Sequence, residues 1–80
     1  MGKRIDWRKR VVIDAGIHHG EPCIRGTRIP VTVIVGSLAD GMSFEEILEE
    51  YPQLTSDDIR AALAYAAEAL QGELILPLAA

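Results

Sequence analysis

Three residues in the first third of the chain have side chains that bind metals or act as nucleophiles: His18, His19 and Cys23. A structural zinc site takes about four ligands, and these supply three at most, at a spacing that fits no standard zinc pattern. No acidic partner is placed to orient either imidazole, as metal ligation or catalysis would require. The expected setting is an ordinary turn beside a semi-buried thiol. The carboxylate pairs Glu45/Glu46 and Glu49/Glu50 could serve acid–base chemistry only in a cleft that pushes their pKa values apart, and nothing nearby builds one. Gly16, Gly20 and Gly26 are wrongly spaced for a phosphate-cradling loop. The sequence therefore assigns no catalytic, cofactor-binding or metal-binding residue, and the chain is expected not to be an enzyme.

The most distinctive segment is Gly20 to Val31, where Arg25 and Arg28 flank a Gly-Thr turn. Guanidinium groups grip phosphates or carboxylates through two parallel hydrogen bonds, so these two residues are candidate partner-binding groups. The competing reading is internal: either arginine could tie the turn to a helix C-terminus or to a face of glutamates.

Four stretches must position that turn. Val11-Val12-Ile13 and Cys23 to Arg25 are short apolar or β-branched runs bounded by Gly, Asp and Pro, which predicts two short extended pieces. Pro30 suits the first helical position and Gly41 the left-handed residue after a helix end, so Pro30 to Asp40 reads as a buried helix despite its β-branched content. Ser43 and Glu46 form a capping box, and Phe44, Ile47, Leu48 and Tyr51 line one helical face opposite the glutamates. A third helix is predicted from Thr55, where Asp58 completes a second capping box and Asp57 favours the positive helix end. Its expected buried stripe is Ile59, Leu63, Ala66 or Ala67, and Leu70, with Gly72 as its end. The class is α+β: short N-terminal strands, then a three-helix bundle resembling a helix-turn-helix arrangement. One domain is expected, comprising a basic segment (1–10), a strand and turn region (11–29), the bundle (30–71) and an apolar tail (72–80).

Eighty residues lie near the lower limit for a self-sufficient core, yet 49% of them are apolar. One cysteine rules out an internal disulfide and suits a reducing compartment. Association is then the expected way to cover apolar surface, which predicts a homodimer or a complex. No run approaches the ~18 apolar residues of a membrane span, and residues 1–10 are too polar for a secretory signal, so the cytoplasm is the expected compartment. The net charge of −4 conceals a division. Residues 1–30 carry seven basic side chains (Lys3, Arg4, Arg8, Lys9, Arg10, Arg25, Arg28) against three acidic ones, whereas residues 31–80 carry Arg60 against nine acidic ones. Such asymmetry points to two surfaces with different partners.

From about Val12 to Ala67 the chain resembles the small prokaryotic family known as domain of unknown function 433. The resemblance rests on Gly20-x-Pro22-x-Ile24-x-Gly26-Thr27-Arg28-Ile29-Pro30-Val31 and on Gly41-x-Ser43-x-Glu45-Glu46-Ile47-Leu48. It continues through Tyr51-Pro52-x-Leu54-Thr55, Asp58-Ile59 and Ala61-Ala62-Leu63-x-Tyr65-Ala66. Two features depart from the pattern: Ala15 stands where the family usually has proline, and the basic segment Lys3 to Arg10 lies outside the match. The resemblance implies a helix-turn-helix-like fold and an antitoxin-like role beside a nuclease of the PIN-like class.

Three functional expectations follow. An antitoxin would use an apolar docking surface, for which the tail residues Leu74, Ile75, Leu76 and Leu78 are candidates, and would offer Arg25 or Arg28 to the nuclease's acidic metal site. A DNA-binding regulator would use Lys3, Arg4, Arg8, Lys9 and Arg10, because Asp57 and Asp58 would repel phosphates from the third helix. The last is a structural homodimeric module. No cofactor is expected in any of them.

Overall fold

The second strand and each of the three α-helices contribute one fully buried isoleucine, and those side chains define where these elements must meet. The computed structural model describes residues 4–16 and 20–72. A single 3₁₀ turn spans Trp7–Lys9. Strand β1 (Val11–Val12) pairs antiparallel with β2 (Cys23–Ile24), Val11 opposite Ile24 and Val12 opposite Cys23. Helices α1 (Val31–Ala39), α2 (Phe44–Glu50) and α3 (Ser56–Gly72) follow. A two-stranded antiparallel sheet followed by three helices is an α+β fold, and its helical part is compatible with a helix-turn-helix arrangement.

Helix α1 forms although five of its first five residues, Val31 to Val35, are β-branched, because its ends are fixed by punctuation. Pro30 lies one position earlier than expected within the helix frame: it is the N-cap, extended at ψ 147°, with Val31 first in the helix. At the other end Gly41 takes φ 95°. Its N–H donates to the Leu38 carbonyl at 3.0 Å and the Met42 N–H donates to Ser37 at 3.1 Å, a Schellman closure that needs the left-handed conformation glycine adopts without strain. Helix α2 begins at the Ser43 capping box, where the Glu46 N–H donates to Ser43 Oγ at 3.1 Å and the Ser43 N–H donates to Glu46 Oε1 at 2.9 Å. The same exchange starts α3: the Asp58 N–H donates to Thr55 Oγ1 at 3.2 Å and the Thr55 N–H to Asp58 Oδ2 at 2.9 Å. Thr55 is thus the residue before α3 rather than its first residue.

Ile24, Ile34, Ile47 and Ile59, one each from β2, α1, α2 and α3, are the largest side chains wholly removed from solvent. Val11, Ile29, Val31, Leu54, Ala61 and Ala62 complete the cluster around them. Small side chains at 61, 62 and 64 let α1 and α3 approach closely, and these two helices make the most extensive contact in the fold.

One expectation fails here. The stripe Ile59, Leu63, Ala66 or Ala67, Leu70 is buried only at Ile59; Leu63 is 39% exposed and Leu70 58%. The core-facing line of α3 instead runs through Asp58, Ile59, Ala61, Ala62 and Ala64. The physical reason is that β1, the 3₁₀ turn and α1 all pack on the side carrying the alanines, so the largest apolar residues of the helix lie toward its edge. Gly72 is the last residue of α3 among the described residues.

The core makes a direct forecast. Ile47→Ala should destabilise the protein by about 2–5 kcal/mol in urea unfolding, because the site is fully enclosed and leaves a cavity. Ile13→Ala, at an exposed position, should change stability by less than about 0.5 kcal/mol.

Candidate functional site

The Gly20 to Val31 segment is a loop stitched to itself before it can be offered to anything else. The Ile24 N–H donates to the Ile29 carbonyl at 3.0 Å and the Val31 N–H to Pro22 at 2.9 Å, so β2 lies between β1 and the chain leading into α1. Thr27 closes the tip: its hydroxyl donates to the Ile24 carbonyl at 2.8 Å and accepts the Ile29 N–H at 3.0 Å. Gly26 turns the chain at φ 79°, where a side chain would be strained. Gly-Thr here is a device that holds two arginines at fixed positions on a short, stiff turn.

The two arginines have different surroundings. Arg25 is exposed, and its Nε donates to the Lys9 carbonyl at 3.2 Å and its Nη2 to the Arg8 carbonyl at 3.5 Å. It therefore reaches back to the 3₁₀ turn, and among the described residues it takes part in no ion pair. Arg28 is exposed and, among the described residues, takes part in no ion pair. The Arg25 side chain is brought to the Lys9 backbone, with Arg28 three residues on along the same turn.

The basic N-terminal segment behaves otherwise. Arg8 Nη2 meets Glu68 Oε1 at 2.8 Å, and its guanidinium stacks 4.7 Å over the Trp7 ring. Trp7 Nε1–H donates to Glu68 Oε2 at 2.6 Å, and the Trp7 ring meets Tyr65 edge-on, 4.8 Å between centroids and 86° between planes. Aromatic pairs of that geometry contribute roughly 0.5–1.5 kcal/mol beyond area burial. Arg10 reaches Asp58 Oδ1 at 3.2 Å and Asp57 Oδ2 at 3.6 Å. Arg8 and Arg10 thus direct their charges at α3. Of the proposed nucleic-acid-binding residues, Arg4 and Lys9 face solvent without a carboxylate partner among the described residues. Lys3 and the tail residues Leu74, Ile75, Leu76 and Leu78 lie outside the described residues, as do His18 and His19.

Cys23 is buried, and its thiol donates to the Glu21 carbonyl at 3.5 Å. Burial, and then the neighbouring Glu21 charge, push the thiol above its ordinary value of 9.0, which disfavours the nucleophilic thiolate. Among the described residues no three His, Cys, Asp or Glu side chains converge as a metal site would need.

With this geometry in hand, comparison with other proteins gives the family. The sequence profile of the family described as "Protein of unknown function (DUF433)" matches residues 11–66, well over half of the chain. The chain belongs to the DUF433 family. An uncharacterized protein of Sinorhizobium fredii, y4eO, is 42% identical over 59 residues, 74% of this chain. The chain spans only 27% of that protein's length. A crystal structure of a DUF433 member protein from Anabaena variabilis is similar at a TM-score of 0.73 and 35% identity, over 78% of this chain and 61% of the other. The DUF433 match contains the arginine turn and Asp58 but not Trp7, Arg8 or Glu68, so the strap formed by the 3₁₀ turn lies outside the family core.

Sequence reasoning missed that strap. Its signals were the lone tryptophan beside an arginine and the Tyr65/Glu68 spacing of three, which puts an aromatic ring and a carboxylate on one helical face.

The strap has a pH signature. The Trp7 N–H and the Arg8 guanidinium hold the exposed Glu68 carboxyl below its ordinary 4.5 against a smaller opposing effect of desolvation. A depressed carboxylate pKa contributes above its ordinary value and is lost as pH falls through the lowered one. Acidification below 4.5 should therefore red-shift Trp7 fluorescence before the helices melt, and Glu68→Gln should show the shifted emission already at neutral pH. Trp7 is the only tryptophan, so the signal is specific. Emission that stays constant from neutrality to global unfolding would show that Glu68 does not hold the ring.

Proposed function

We propose that this DUF433 chain is a non-enzymatic, cytoplasmic binding module, the antitoxin-like partner of a PIN-like nuclease. The observation that carries the reading is the arginine turn: a self-stitched loop displaying Arg28, backed by Arg25, with no carboxylate of its own to pair with among the described residues. A metal-dependent nuclease centre gathers several carboxylates in one cleft, and the planar fork of arginine is the side chain suited to occupy it. Holding that fork on a stiff turn lowers the ordering cost of binding. The apolar tail residues Leu74, Ile75, Leu76 and Leu78 are the candidates for further docking area.

The DNA-regulator reading is supported by fewer groups. Arg8 and Arg10 are matched by Glu68, Asp57 and Asp58, and the exposed glutamates of α2 would face a duplex with like charge. Among the described residues Arg4 and Lys9 remain, enough for weak, non-specific contact.

The test is affinity purification of the tagged protein from its own organism at moderate salt, with mass spectrometry of what co-elutes. The expected result is a stoichiometric small nuclease that is lost when Arg25 and Arg28 are both replaced by alanine, since truncating one side of a buried charge pair costs about 2–5 kcal/mol. Recovery of the bait alone, or of nucleic acid without a protein, would contradict the reading.

A further inference from the structure

The stripe that sequence periodicity assigns to the core but the fold leaves at its edge calls for a partner. Leu63, Ala66, Ala67 and Leu70 fall at i, i+3, i+4 and i+7 on α3, the spacing of a helix-packing seam. Leu63 is 39% and Leu70 58% exposed, and neither lies on the face that Tyr65 and Glu68 give to the strap. We propose that this stripe is the interface of an antiparallel, two-fold dimer of the chain, α3 against α3.

Two features single out a second copy as the occupant. The first is self-complementarity, which a two-fold interface demands of a single patch. In an antiparallel pair centred between Ala66 and Ala67, Leu63 of each copy lies opposite Leu70 of the other, and the two small residues at the centre let the helices approach. The second is charge. Arg4 and Arg60 rim the N-terminal end of the stripe, around a shallow hollow of about 300 Å³ that Ile5 and Leu63 also line. The last turn of α3 carries no basic residue to offset the negative end of the helix dipole. Antiparallel association sets each Arg60 alongside the other copy's last turn and supplies the missing cation twice. Among the described residues Arg60 is tied only by an exposed 3.6 Å contact with Asp57, too weak to hold it there. The inference concerns a face of α3 separate from the arginine turn and does not rest on the nuclease reading.

Sedimentation equilibrium of the full chain across the micromolar range tests it. The wild type should be dimeric, and Leu63→Glu or Leu70→Glu should each weaken the dimer by roughly a hundredfold or more, because each change removes two leucines from one interface. Circular dichroism should be unchanged, both sites being exposed; should Leu63→Glu disturb the fold, Leu70→Glu, further from the core, carries the test. Leu63→Lys and Leu70→Glu should each impair association, and the double variant should recover it, since the introduced opposite charges then face each other in both halves. A wild type that is monomeric throughout, or a dimer that ignores these substitutions, overturns the proposal. A monomer that dimerises only after removal of residues 73–80 also overturns it, and assigns the stripe to the chain's own C-terminal segment.

Discussion

Asp58 is the one charged side chain in the core among the described residues, and the rest of the arrangement is hung from it. One of its oxygens accepts the Thr55 N–H and so closes the start of α3; the other accepts from Arg10, the residue that leads into β1. The Arg10 carbonyl in turn accepts the Arg25 N–H at 2.7 Å, which fixes the turn that displays Arg28. A helix cap, a strand entry and a candidate binding loop are thereby joined through three consecutive hydrogen bonds. A buried carboxylate is tolerable only when its oxygens are satisfied, and here both are.

That linkage reassigns the meaning of the charge asymmetry. The basic first third and the acidic remainder are not simply two surfaces; part of each is spent on the other, Arg8 on Glu68 and Arg10 on Asp57 and Asp58. What is left over is sharper than the sequence count suggests: Lys9, Arg25 and Arg28 are exposed and in no ion pair among the described residues, and α2 has exposed glutamates. Trp7, Arg8 and Glu68 lie outside the residues matched to DUF433, and with Tyr65 they form a clasp across α3.

What could be read in advance follows from the range of the interactions. Both capping boxes, the Gly41 closure and the α+β order were legible because each depends on residues within four positions of one another. The strap was not, because Trp7 and Glu68 are 61 positions apart and neither has a local pattern that demands the other. Arg25 and Arg28 look equivalent in sequence; only the backbone of the 3₁₀ turn, folded beneath one of them, tells them apart. The α3 stripe failed for a subtler reason. Periodicity finds the most apolar face of a helix, but close packing against α1 favoured its alanine face, and Leu63 and Leu70 were left exposed.

The central claim is that the Arg10–Asp58 contact joins the hairpin to the helical bundle, and a double-mutant cycle measures it directly. Urea unfolding of the wild type, Arg10→Ala, Asp58→Ala and the double variant separates this coupling from the cap that Asp58 also provides, since cap loss enters both legs of the cycle equally. The account predicts a coupling energy of about 1–3 kcal/mol, as for a partly buried, charge-assisted hydrogen bond. Effects that add to within roughly 0.5 kcal/mol would contradict it, because the two residues would then act independently.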